Sequence, residues 1–177
     1  MSPETLKSKR FRLYSIAVEL RGHGADRLAQ DFDFFTDRPD GSPDTRFSVT
    51  LELVARDPQA GDLPGKEASR VFSDCVLYQD KDQLIYEYSE TVFRVTRSKN
   101  ASYGQLISKR AELAQEIGYL YLQSEIGRFL DLQGLHRVHA LGLGLPNGRS
   151  ALVLLPSGGR SEEHTSELQS RLHLVCR

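Results

Sequence analysis

The hydrophobic period of the chain changes once, and that change limits the fold more than any other feature. Across Arg46–Ala55, Phe47, Val49, Leu51 and Leu53 alternate with Ser48, Thr50 and Glu52, as in a strand with one buried and one wet face. After a loop over Arg97–Tyr103, Leu106, Leu113, Ile117, Leu120, Tyr121, Ile126 and Leu130 recur at helical spacing. Strands followed by an amphipathic helix predict an α+β arrangement, a sheet with the helix packed on it. Polar breaks at Asp80-Lys81-Asp82 and Ser89-Glu90 separate strands at Val71–Tyr78, Gln83–Tyr88 and Thr91–Thr96, which predicts an antiparallel meander.

The flanking segments fill in this outline. Phe11–Leu20 reads as a strand with Tyr14, Ile16, Val18 and Leu20 on one face. Ala25–Phe35 reads as a short helix with Leu28, Phe32 and Phe35 on one side. Loops follow at Thr36–Thr45 and Asp57–Lys66, both rich in Pro and Gly. Gly118 and Gly127 predict a break in the long helix, and Gly134 its end.

Composition excludes several functions. A net charge of −1 gives no bulk field for nucleic acid or anionic lipid. No run of about 18 apolar residues is present to span a membrane, and no secretory signal follows the polar start Met1–Arg10. Cys75 and Cys176 form neither a disulfide framework nor a zinc site, so the expected location is cytoplasmic.

The chemistry-bearing segment comes last. His136–Leu143 and Ser150–Leu155 flank Pro146-Asn147-Gly148, a strong hairpin signal because both turn residues tolerate positive φ. The apolar strand Ala151–Leu155 then runs into Pro156-Ser157-Gly158-Gly159, which is how a phosphate-binding loop begins. Glycines let backbone amides point inward; a lysine and a magnesium-holding hydroxyl follow. His139-Ala140, the turn, the apolar strand and Pro156–Gly159 together resemble the entry to the nucleotide site of the HPr kinase/phosphorylase family. The preceding helix matches Leu106–Leu132.

That resemblance covers about the last 25 residues before Arg160, and it implies a P-loop core related to phosphoenolpyruvate carboxykinase. It also implies ATP and magnesium as cofactors and a protein phosphoacceptor as partner. Ser157, Gly158 and Gly159 are the positions carried over as cofactor-binding, with Pro156 as a flank. The family's loop usually opens with glycine, where this chain has Leu155. Catalytic carboxylates and the Walker lysine have no counterpart here.

The stretch from Arg160, RSEEHTSELQSRLHLVCR, resembles translated sequencing adapter over Arg160–Ser170. The expectation is therefore a chain cut inside its phosphate loop, with 1–104 β-rich, 105–159 a helix plus the start of a kinase-like core, and 160–177 foreign. Such a fragment is expected to bind no ATP or magnesium itself, and to oligomerise through exposed strands. The alternative is a non-catalytic β-rich module that binds a protein or peptide.

Other residues carry weaker signals. His136 and His139 share a strand face but lack a third metal ligand. Asp31, Asp33 and Asp37 interleave with Phe32, Phe34 and Phe35, and read as a solvated face over an aromatic anchor. Cys75 reads as a small buried apolar group. Tyr78, Tyr86 and Tyr88 suit a sheet surface but lack the interleaved basic residues of a single-strand stacking platform.

Overall fold

The computed structural model describes residues 8–33 and 45–135, together with the backbone of 141–144 and 150–153. The chain divides into two compact units, Met1–Leu135 and His136–Arg177. The first holds β1 (Ser8–Leu13), β2 (Ile16–Gly22), α1 (Ala25–Gln30) and β3 (Phe47–Val54). It continues through a 3-10 turn (Ala60–Asp62), β4 (Arg70–Val71), β5 (Cys75–Asp80), β6 (Gln83–Tyr88), β7 (Thr91–Arg97), β8 (Ala101–Ser108) and α2 (Ala111–Asp131). In the second unit, β9 (Leu141–Gly144) and β10 (Ser150–Val153) pair antiparallel, with Val153 opposite Leu141.

The eight strands of the first unit form one sheet in the order β1-β2-β3-β8-β7-β6-β5-β4. Most neighbours are antiparallel, as the polar breaks predict, but β3 runs parallel to both β2 and β8. A parallel pair needs a crossover of a dozen or more residues. Residues 23–46, with α1, supply one; residues 55–100, carrying β4 to β7, supply the other. The expected antiparallel meander is thus correct for β4–β7, and an antiparallel sheet throughout is wrong at β2, β3 and β8.

Four local expectations also change. Phe11–Leu20 is two strands, folded back at Tyr14-Ser15, where Tyr14 takes φ 52° and is exposed. Val71–Tyr78 is broken between β4 and β5. The latter part of the expected loop Arg97–Tyr103 is strand, and Leu106 belongs to β8 rather than to the helix. Finally, α2 is continuous through Gly118 and Gly127.

Gly118 lies where the helix meets α1 and β3, and an added Cβ there would stand 3.0 Å from Leu28 Cδ2 and 3.2 Å from Leu51 Cδ2. It is a contact residue, not a hinge. The expected stop at Gly134 holds. Leu135 N–H donates to Leu130 O and Gly134 N–H to Asp131 O, with Gly134 at φ 74°, a Schellman ending.

Strand register sorts the sheet into two faces. On one, Ile16, Val18, Leu20, Val49, Leu51, Leu53, Val95 and Leu106 meet Leu28 from α1 and Leu122, Ile126 and Phe129 from α2. This is the core. On the other face, residues 57–66 lie as a strap over the β6–β7 half, where Ile85 and Val92 are buried. The half made by β1, β2, β3 and β8 carries polar residues.

Candidate functional site

Ser157, Gly158 and Gly159 lie outside the described residues, as do His136, His139 and Asp37. Ahead of them in sequence, β9 and β10 form an antiparallel hairpin. Asp31 accepts a hydrogen bond from Gln115 Nε2 at 2.5 Å, tying α1 to α2. Among the described residues no group of three His, Cys, Asp or Glu is placed to hold a metal. No described helix is long and apolar enough to cross a membrane.

Cys75 is half-buried, not fully so, and burial pushes its thiol pKa up, away from a reactive thiolate. Tyr86 and Tyr88 stack on the helix side of the sheet, while Tyr78 stands on the opposite side and donates to Glu87 at 2.8 Å. The three tyrosines therefore share no platform.

The ordered polar chemistry lies on the open sheet face, in two cross-strand rows. Arg21, Glu52, Gln105 and Arg94 are register neighbours along one; Arg10, Glu19, Thr50, Tyr103 and Thr96 along the next. Parallel pairing of β2, β3 and β8 brings these residues together from segments far apart in sequence. Glu19 accepts from Arg10 Nε at 2.9 Å, Arg10 Nη2 at 2.7 Å and Arg21 Nη2 at 2.5 Å. Arg21 foremost, and then Arg10, holds the Glu19 carboxyl below its usual pKa. Tyr103 Oη donates to Glu52 at 2.5 Å, and Gln105 Nε2 donates to the same oxygen at 3.0 Å. Partial burial, then the bond to Glu52, pushes the Tyr103 hydroxyl up to about 12. Tyr103 is thus a neutral donor at any physiological pH.

The rows continue into the strap. Arg94 Nη1 donates to Gln105 at 3.1 Å, and its Nε donates to the backbone oxygen of Asp62 at 3.1 Å. Asp62 takes a two-pronged hydrogen bond from Arg56 at 2.5 and 2.9 Å, a third contact from Arg94 at 3.3 Å, and the backbone N–H of Gln59 at 2.8 Å. Arg56 above all lowers its carboxyl to about 2. This clamp anchors the strap. Two shallow grooves flank it, the larger about 370 Å³ and lined in part by Asp57, Leu63, Glu87 and Glu90.

A third cluster lies between helix and sheet. Glu125, fully buried on α2, accepts from Arg97 Nε at 2.8 Å and from Arg128 Nε at 2.9 Å. Arg128 also stacks over Phe129, 4.1 Å from the ring centre. Nearby, Tyr121 and Ser102 share a buried hydroxyl hydrogen bond of 2.8 Å, and burial raises the Tyr121 pKa.

One motif therefore occurs three times among the described residues: a carboxylate shared by two arginines. Glu19 is 17% exposed beneath Arg10 at 75% and Arg21 at 46%. Asp62 is 8% exposed between Arg56 at 39% and Arg94 at 25%. Glu125 and its two arginines repeat the pattern inside the fold. The sequence reading missed all three, because the partners are 2 to 32 positions apart. Comparison with protein-family models, curated proteins and solved structures finds no match for the chain.

Proposed function

We propose that residues 136–159 form the entry to the nucleotide site of an ATP-dependent, HPr kinase-like phosphotransferase that modifies a protein acceptor. The observation that carries this reading is the antiparallel β9–β10 hairpin. It sits in a unit that begins at His136, just before the His139-Ala140 pair of the family-like segment. A strand placed there would lead directly into Pro156-Ser157-Gly158-Gly159, whose amides would face the phosphates.

Within residues 1–177 the rest of such a loop is not in register. Arg160 stands one position early for the lysine, and no hydroxyl residue follows in the magnesium-binding position. The residues present thus do not complete a site for ATP and magnesium.

Two measurements test the reading. The coding frame reread beyond Gly159 is expected to continue as Gly-Lys-Ser/Thr; any other continuation overturns the proposal. Calorimetric titration of the 177-residue chain with ATP and magnesium is expected to give no binding at millimolar nucleotide. A polypeptide carrying Gly-Lys-Ser/Thr and the remaining domain is expected to bind. Equal affinity in the two would place any nucleotide site elsewhere.

A further inference from the structure

Parallel strands are ordinarily covered on both faces. Here β2, β3 and β8 carry α1 and α2 on one face only; the described residues leave the other polar and open beyond the strap. Across β1, β2, β3, β8 and β7 this surface measures about 24 Å by 20 Å, or about 500 Å². A stable dimer interface needs about 800 Å² from each partner, so the area fits a short segment better than a second copy.

The chemistry of the surface selects the segment. Arg10 and Arg21 are far more exposed than the Glu19 carboxylate they share, so the outermost charged groups there are guanidinium donors. The two arginines with Glu19 keep one net positive charge. Their guanidiniums are also held in place beforehand by Glu19, whereas Arg94 spends its donors on Asp62, Gly61 and Gln105 under the strap. Fixed guanidinium forks match the planar, two-oxygen geometry of carboxylates. Two strands along the Glu19 row, Tyr103, 39% exposed, adds an aromatic surface.

We propose that this open face docks an acidic polypeptide segment, with Arg10 and Arg21 meeting its carboxylates and Tyr103 packing against its backbone. The proposal is independent of the nucleotide reading and stands or falls without it. Glu52, in the middle of the surface, accepts from Tyr103 and Gln105 and opposes any anion laid directly over it, carboxylate or phosphate alike; the experiment separates the two.

The probe is a fluorescein-labelled 20-residue polyglutamate, titrated with the full chain and followed by anisotropy. Saturable binding at low salt that weakens at 300 mM salt is expected. The double substitution Arg10→Ala/Arg21→Ala should weaken it roughly three- to ten-fold, the range for two partly exposed charge contacts. Thr96→Glu, at an exposed position in the Tyr103 row, should weaken it similarly and breaks no arginine anchor. It therefore carries the test if the arginine variant fails to fold. Arg27→Ala, on α1 across the sheet, should leave binding unchanged. Absence of saturable binding would overturn the proposal, as would an Arg27→Ala loss equal to that of the double variant. A 20-nucleotide DNA strand binding at least as tightly would overturn it too.

Discussion

Removing the Glu125 carboxylate tests how the helix is held on the sheet. Glu125→Ala deletes a fully buried acceptor and leaves Arg97 and Arg128 facing each other with no anion between them. Breaking a buried ion pair by removing one partner costs about 3–5 kcal/mol, because the remaining charge is left uncompensated. Here the two arginine side chains are 37% and 31% exposed, so both can recover part of their hydration by turning outward. The Nη2 of Arg128 is already buried without a hydrogen-bond partner, which limits how much that side chain recovers. The expected loss is therefore about 2–4 kcal/mol. With a urea slope of roughly 1–3 kcal/mol per molar, the denaturation midpoint should fall by about 1–2 M, followed by far-ultraviolet circular dichroism. In Arg97→Ala/Glu125→Ala the loss should be smaller than the sum of the single losses by at least about 1 kcal/mol, since the two groups share one network. A single-variant loss below about 1 kcal/mol, or additive losses, would show that the cluster is solvated and that apolar packing alone positions α2.

Two further predictions test the strap and the helix crossing. Asp62 titrates at about 2 in the fold against 3.8 when free. Its contribution is therefore complete above about pH 5 and is lost as pH falls toward 2. Because Arg56 is partly solvated, that contribution is set at about 1–2 kcal/mol. Acid melts should show this loss in the native chain and lack it in Asp62→Asn, and parallel acid profiles would refute the clamp. At Gly118, Ala gains about 1 kcal/mol of helix propensity and must displace only side-chain ends, so Gly118→Ala should stay within about 1 kcal/mol of the native chain. Gly118→Val adds bulk that Leu28 and Leu51 cannot both clear, at a cost of about 2–4 kcal/mol. Equal melting temperatures for the two variants would mean that the helix does not approach α1 and β3 as closely as described.

Much of the α+β outline was legible, and the failures have local causes. β6 spans the expected Gln83–Tyr88, and β3 lies within the expected Arg46–Ala55, because their inward residues are uniformly large and apolar. β8 was hidden for the opposite reason. Its inward positions include Ser102 and Gly104, kept small by the Tyr121 ring; an added Cβ at Gly104 would meet that ring at 2.9 Å. A strand that makes room for a helix side chain loses its period of two. The β1–β2 hairpin reads as one strand because Tyr14 falls in phase with Ile16, Val18 and Leu20 and looks like one more apolar position, which hides the switch from odd core positions (Phe11, Leu13) to even ones. Parallel pairing left no trace, since alternation is the same in either direction and only tight turns announce themselves. The arginine–carboxylate clusters were unreadable for a related reason. Each joins one arginine near in sequence (Arg21, Arg56 or Arg128) to one that the fold brings in (Arg10, Arg94 or Arg97), and no spacing along the chain encodes the second.

The same three-residue cluster acts differently according to the face on which it lies. A one-to-one ion pair would neutralise itself, whereas a carboxylate under two arginines keeps a unit of positive charge and fixes the direction of several N–H donors. In the seam between α2 and the sheet those donors point at Glu125, Phe129 and protein interior, and the cluster sets where the helix sits. At Asp62 the arginines come from just past the end of β3 and from the middle of β7, and the cluster ties the strap to both. At Glu19 the arginines lie on the edge strand β1 and its neighbour β2, with α1 and α2 on the other face and the row of Thr50, Tyr103 and Thr96 continuing beside them. Its position leaves it nothing within the described fold to lock: the β1–β2 hairpin is already joined by its backbone ladder. Loss of Glu19 should therefore change what the surface binds far more than how stably the chain folds, the reverse of what is expected for Glu125.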